Sequence, residues 1–140
     1  MDYTIYFEDD FDFDLKHNPF NLKNDFKKLN IKYKNKYTLH IQQEIQHGTN
    51  RTSCKAIFKI DYNNTNYKIM IVKIRCGFEN KGKSGGIRFI VLVDEKNMLC
   101  IVLHAYGKNK TEELTENEKN SLKKLLDYYK ESIEGEENNE

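Results

Sequence analysis

Three apolar runs dominate the middle of the chain: YKIMIVKIR (67–75), GIRFIVLVD (86–94) and MLCIVLHAY (98–106). They are rich in Ile and Val, which suit a pleated, buried surface. Only Glu95, Lys96 and Asn97 separate the second run from the third. Parallel neighbours need a crossover of roughly a dozen residues or more, so this link makes a hairpin. KAIFKIDY (55–62) alternates apolar and polar residues, and NNTN (63–66) is turn material that joins it to the first run. The stretch Ile69–Val72 is apolar without alternation, which predicts a central strand covered on both faces.

The flanking segments supply the cover. YTIYF (3–7) reads as a short strand. Asn18 and Pro19 predict a helix start, and Leu22, Phe26 and Leu29 follow at helical spacing. Tyr37, Ile41 and Ile45 mark a second helix that Gly48 ends. Thr115 and Glu118 form a capping box before a closing helix with Leu122, Leu125, Leu126, Tyr129 and Ile133 on one stripe. The acidic end, about 134–140, is expected to fray into a flexible tail. The predicted class is α+β: an N-terminal strand and two helices, an antiparallel meander sheet and a C-terminal helix, in one domain over 1–140.

Net charge is +1, but its distribution is uneven. Residues 55–110 carry eleven Lys/Arg against four Asp/Glu, a net +7 that a polyanion would meet. Asp2, Glu8, Asp9, Asp10, Asp12 and Asp14 make the start acidic. Cys54, Cys76 and Cys100 lack metal-ligand spacing, and Cys100 sits in an apolar run as a small hydrophobe. Such cysteines fit a reducing compartment. The first residues lack a basic n-region and a long apolar stretch, so no secretion signal and no membrane segment are expected, and the cytoplasm is the expected location.

GFENKGKS (77–84) matches the phosphate-loop pattern of nucleotide hydrolases, and FIVLVD (89–94) imitates the strand whose Asp holds magnesium. A phosphate loop works because its Lys-Ser end opens a helix. Here Ser84 is followed by GGIRFIVLV, two glycines and then a strand. No crossover fits between Ser84 and Phe89, so nucleoside triphosphate binding is not expected.

The segment from VKIRC through GKSGGIRFIVLVD and YGKN to LTENEKNSLKKLL resembles the RelE/HigB branch of bacterial type II toxins, over roughly residues 70–130. The resemblance implies a compact α+β fold like that of small microbial ribonucleases. It also implies metal-free cleavage of messenger RNA on the ribosome, and a cognate antitoxin that silences the toxin. Ile87 stands where the family usually has an aromatic residue, and the first fifty residues exceed the family's two-helix start.

Cleavage of that kind needs a base for the 2′-hydroxyl, positive charge around the phosphorus and an acid for the leaving 5′-oxygen. Strand alternation puts Lys73 and Arg75 on one face. A three-residue loop at 95–97 would pair Asp94 with Met98, Arg88 with His104 and Gly86 with Tyr106, all on one face; a two-residue loop would turn His104 away. With the resemblance, this makes Arg88 and Arg75 the clamp on the scissile phosphate. Lys73, Lys81, Lys83, Lys108 and Lys110 would hold neighbouring phosphates or ribosomal RNA. Tyr106 would stack on a base or pass a proton. His104 is either the acid or base, or a core histidine with its hydrogen bonds met. No metal or other cofactor is called for. Three alternatives remain: a ParE-like inhibitor of DNA gyrase, an RNA- or ribosome-binding module that does not cut, and a regulatory protein whose acidic ends cover its basic face.

Overall fold

The computed structural model describes residues 2–11, 15–77, 86–107 and 113–138. Its elements are β1 (Thr4–Phe7), α1 (Leu22–Lys28), α2 (Thr38–Gln46), β2 (Cys54–Asp61), β3 (Lys68–Cys76), β4 (Ile87–Asp94), β5 (Leu99–Gly107) and α3 (Glu116–Asn138). The five strands form one sheet in the order β1-β5-β4-β3-β2. The meander β2–β5 is antiparallel throughout. β1 adds to β5 in parallel, so the sheet is mixed.

β4 is buried along its whole length, and β3 and β5 nearly so, because both faces are covered. Met70, Val72, Ile74, Phe89, Val91 and Val102 pack with α1 and α2 through Leu22, Phe26, Tyr37, Ile41 and Ile45. Ile69, Ile71, Ile90, Leu92, Ile101 and Leu103 meet Leu122, Leu125, Leu126 and Tyr129 of α3. Both expected helical stripes are thus buried, with Ile133 packed at the margin of the second.

The helix termini follow local chemistry. Thr115 and Glu118 cap reciprocally: the Thr115 amide donates to Glu118 Oε1 (2.9 Å), and the Glu118 amide donates to Thr115 Oγ1 (3.1 Å). Gly48, at φ +102°, ends the α2 segment. α1 starts later than Asn18-Pro19 suggests, with Asn21 as its cap, accepting from the Asn24 amide at 3.0 Å. Asn18 instead makes a tight turn, accepting from the Phe20 amide, and its Nδ2 donates to the Leu103 carbonyl. α3 runs past Gly135 to Asn138, further into the acidic end than the glycine suggested.

The β4–β5 turn also differs from expectation. Asp94 faces Leu99, so the loop holds Met98 as well, at φ +52°. Asp94 is fully buried and organises this turn. It accepts from the Asn97 amide (3.1 Å) and side chain (2.8 Å), and from the Tyr129 hydroxyl of α3 (2.8 Å). The aspartate that imitates a magnesium ligand therefore ties the hairpin to the closing helix. β4 begins at Ile87 and lies antiparallel to both neighbours, which leaves no room for a helix after Ser84. Residues 78–85, most of the phosphate-loop string, lie outside the described residues.

A buried hydrogen bond to a charged group contributes about 1.5–3 kcal/mol. Tyr129→Phe should lower unfolding stability by about that much, read from the urea midpoint with an unchanged slope. A midpoint equal to wild type would show that Asp94 does not anchor α3.

Candidate functional site

One end of the sheet, on the α3 face, collects the basic side chains. In the ladder Arg75 lies directly opposite Arg88, and Arg88 directly opposite Tyr106. The neighbouring row reads Lys55, Lys73, Ile90, His104. Side chains directly opposite one another have Cβ atoms about 4.5–5.5 Å apart, and like charges so placed are destabilising. This end of the sheet thus holds two such pairs, Lys55/Lys73 and Arg75/Arg88.

The placement depends on two irregularities that compensate. The extra loop residue, Met98, should have flipped β5 and turned His104 and Tyr106 to the other face. A bulge flips it back: Val91 faces Val102, but Ile90 faces His104, which leaves Leu103 as an additional residue. Tyr106 accordingly packs in the α3-side cluster, and Ala105 in the opposite one. Arg88, Arg75, Lys73, Tyr106 and His104 therefore share one face as expected, although Arg88 pairs with Tyr106 rather than with His104. Lys81, Lys83, Lys108 and Lys110 lie outside the described residues.

The five differ in exposure. Arg88 is 3% exposed, and its Nη1 donates to the Gly86 carbonyl at 2.9 Å. Tyr106 is 5% exposed, its ring 5.0 Å from that of His104, so it presents no open stacking face. Lys73 and Arg75 are half-buried.

His104 is 3% exposed. Phe20 stacks on it at 3.8 Å and 6°. Its Nδ1 lies 2.7 Å from Asp25 Oδ2, which also accepts from the Ala105 amide at 3.1 Å. β1 pairs with β5 only as far as Val102, so Asp25 of α1 serves the strand edge beyond it. A carboxylate oxygen that already accepts from an amide accepts from the ring as well. The ring hydrogen therefore sits on Nδ1, and Nε2 carries the lone pair. Asp25 and Phe20 were not anticipated from sequence; the signal was only an acidic residue in the first turn of α1 and an aromatic before it. Lys55 was counted among the basic residues but not singled out, because its partner depends on the β2–β3 register.

The β1 side of the sheet is acidic, with Glu8, Asp9 and Asp10 following the strand and Asp25 nearby. Burial, then Asp9, then Asp25 push the Glu8 carboxyl up. Lys34 reaches Asp9 at 3.0 Å and also pairs with Asp10. Cys54, Cys76 and Cys100 are free and buried, and burial raises the Cys100 thiol. Among the described residues no group of three or more His, Cys, Asp or Glu could hold a metal ion, and no helix is long and apolar enough to cross a membrane.

A family model described as the RelE toxin of the RelE/RelB toxin-antitoxin system matches residues 29–137, more than half of the chain. No curated protein and no solved structure matches it.

The Nδ1–H tautomer is directly observable. Two-bond ¹H–¹⁵N spectra of the imidazoles at neutral pH should show His104 Nδ1 as protonated and Nε2 as bare, and Asp25→Ala should shift that pattern. A protonated Nε2 in the wild-type chain would overturn the assignment.

Proposed function

Because the chain belongs to the RelE toxin family, we propose that it is the toxin of a toxin-antitoxin pair and that it cuts messenger RNA on the ribosome without a metal. The observation that carries this is the cross-strand row Arg75, Arg88, Tyr106, with Lys73 one step along the same face. Arginine holds phosphate oxygens with two parallel hydrogen bonds, and two arginines side by side match a phosphate that gains negative charge as it is attacked.

In this reading the RNA 2′-oxygen attacks the adjacent phosphorus and the bond to the 5′-oxygen breaks. The products are a 2′,3′-cyclic phosphate and a free 5′-hydroxyl. Arg75 and Arg88 hold the non-bridging oxygens as charge builds. Lys73 and Tyr106 are the groups beside them able to pass protons. His104 is a support: both ring faces are covered and Asp25 holds its Nδ1, so it fixes the Tyr106 ring beside Arg88. Lys81, Lys83, Lys108 and Lys110 remain candidates for contacts to ribosomal or messenger RNA. The family also implies a cognate antitoxin as partner.

The test is induction in cells followed by mapping of message 5′ ends. The wild-type chain should generate new ends within translated regions. Arg75→Ala and Arg88→Lys, checked for folding by thermal melts, should each lower cleavage by about 10²–10³-fold, the cost of losing one transition-state donor. His104→Gln should stay well above the hundredfold loss that removing a proton carrier causes. Growth arrest without new 5′ ends would overturn cleavage and point to gyrase inhibition or to binding alone. Full potency of Arg88→Lys and Arg75→Ala would overturn the clamp.

A further inference from the structure

Beside the arginine row lies a cavity of about 590 Å³. Lys55, Lys73 and Lys119 enter it, with Ile57, Ile90 and Leu114 among the residues that floor it. One acid, Glu113, stands at its wall. Three elements build it. β2 brings Lys55 opposite Lys73. A bulge leaves Ile57 without a partner between Ala56 and Phe58, which bends the strand there. Lys119 comes from the first turns of α3, 3.7 Å from Glu116 and with nearly half its side chain exposed.

The mixture of surfaces is specific in kind. Three ammonium groups against one carboxylate favour an anion, and lysine suits a phosphate as a flexible point charge. The apolar floor favours a flat, uncharged group beside that anion. The volume falls in the range of small-ligand sites. Lys73 stands two residues from Arg75 on β3, roughly 7 Å along the strand, close to the spacing of neighbouring phosphates in an extended chain. The opposite direction is closed to a polyanion, because Glu8, Asp9, Asp10 and Asp25 lie on the β1 side. An anion between Lys55 and Lys73 would also relieve their mutual repulsion.

We propose that this cavity is the subsite for the RNA nucleotide next to the cleaved bond, its phosphate among Lys55, Lys73 and Lys119 and its base on Ile57, Ile90 and Leu114. The proposal rests on the reading of Arg75 and Arg88 as the clamp on the scissile phosphate, and it sends the RNA backbone from those arginines toward β2.

A fluorescent all-2′-deoxy hexanucleotide, which cannot be cut, serves as the probe, and anisotropy titrations across a salt series give affinity and salt slope. Lys55→Ala and Lys119→Ala should each bind several-fold more weakly and lower the slope of log K against log salt by about 0.7, one phosphate contact on a single strand. Glu113→Gln should bind more tightly. Lys59→Ala, an exposed lysine paired with Met70 of the other core, should match wild type. If Lys55→Ala and Lys119→Ala behave like Lys59→Ala while Arg75→Ala weakens binding, the subsite is wrong and the clamp stands. If Arg75→Ala has no effect, the clamp fails and the subsite loses its premise, whatever the lysines do.

Discussion

The central strands β3, β4 and β5 are apolar on both faces, and the rest of the molecule follows from covering them. A strand of that kind is stable only under two layers, so α1 and α2 close one side and α3 the other. The cover is incomplete at one end of the α3 face. β3 and β4 change there from Ile69, Ile71 and Leu92 to Lys73, Arg75 and Arg88. Polar function is confined to the end of a sheet whose remainder must stay dry. That sheet is also rigid enough to hold like charges face to face, which neither a loop nor a lone helix would do.

Side-chain parity connects fold to site. A single extra residue in the β4–β5 loop would have separated Tyr106 and His104 from Arg88, and the additional Leu103 restores them. The two defects have different anchors. Asp94 fixes the loop through Asn97 and Tyr129. The bulge is held from the edge, where Asn18 donates to the Leu103 carbonyl and Asp25 accepts from Ala105. The polar segment before α1 is therefore part of the site's construction, although no residue in it touches the basic row. The same bonds explain why His104 is buried: its ring fills the space where the bulge, Phe20 and Tyr106 meet.

The class of the fold was legible because it rests on periodicity and link length, and these are local. The capping box at Thr115, the stripes of α2 and α3 and the central position of β3 all came from residues within one turn or one strand. The start of α1 was misplaced because Asn18-Pro19 and Asn21 are both good starts locally; Asn18 is spent on a carbonyl far away in sequence. The parallel pairing of β1 was hidden for the same reason, since nothing within YTIYF names its neighbour. The shared face of Lys73, Arg75, Arg88, His104 and Tyr106 was reached with a loop one residue too short and no bulge, two errors that cancelled in parity. What sequence could not supply was the row itself: that Lys55 stands across from Lys73, and that an aspartate from α1 sits behind His104.

The string GFENKGKS shows why context governs a motif. Its amides would cradle phosphate only at the mouth of a helix, where four backbone N–H groups lack partners. Followed by β4, whose amides are already committed to β3 and β5, it has no such mouth. The same logic favours side chains over backbone as the anion-binding groups of this fold. A fully paired sheet offers no spare donors along its central strands, so any phosphate met there must be held by what projects from them. In the α3 face that is lysine and arginine at alternate positions, and the repulsion built into their opposed pairs is the physical reason a polyanion would be welcome.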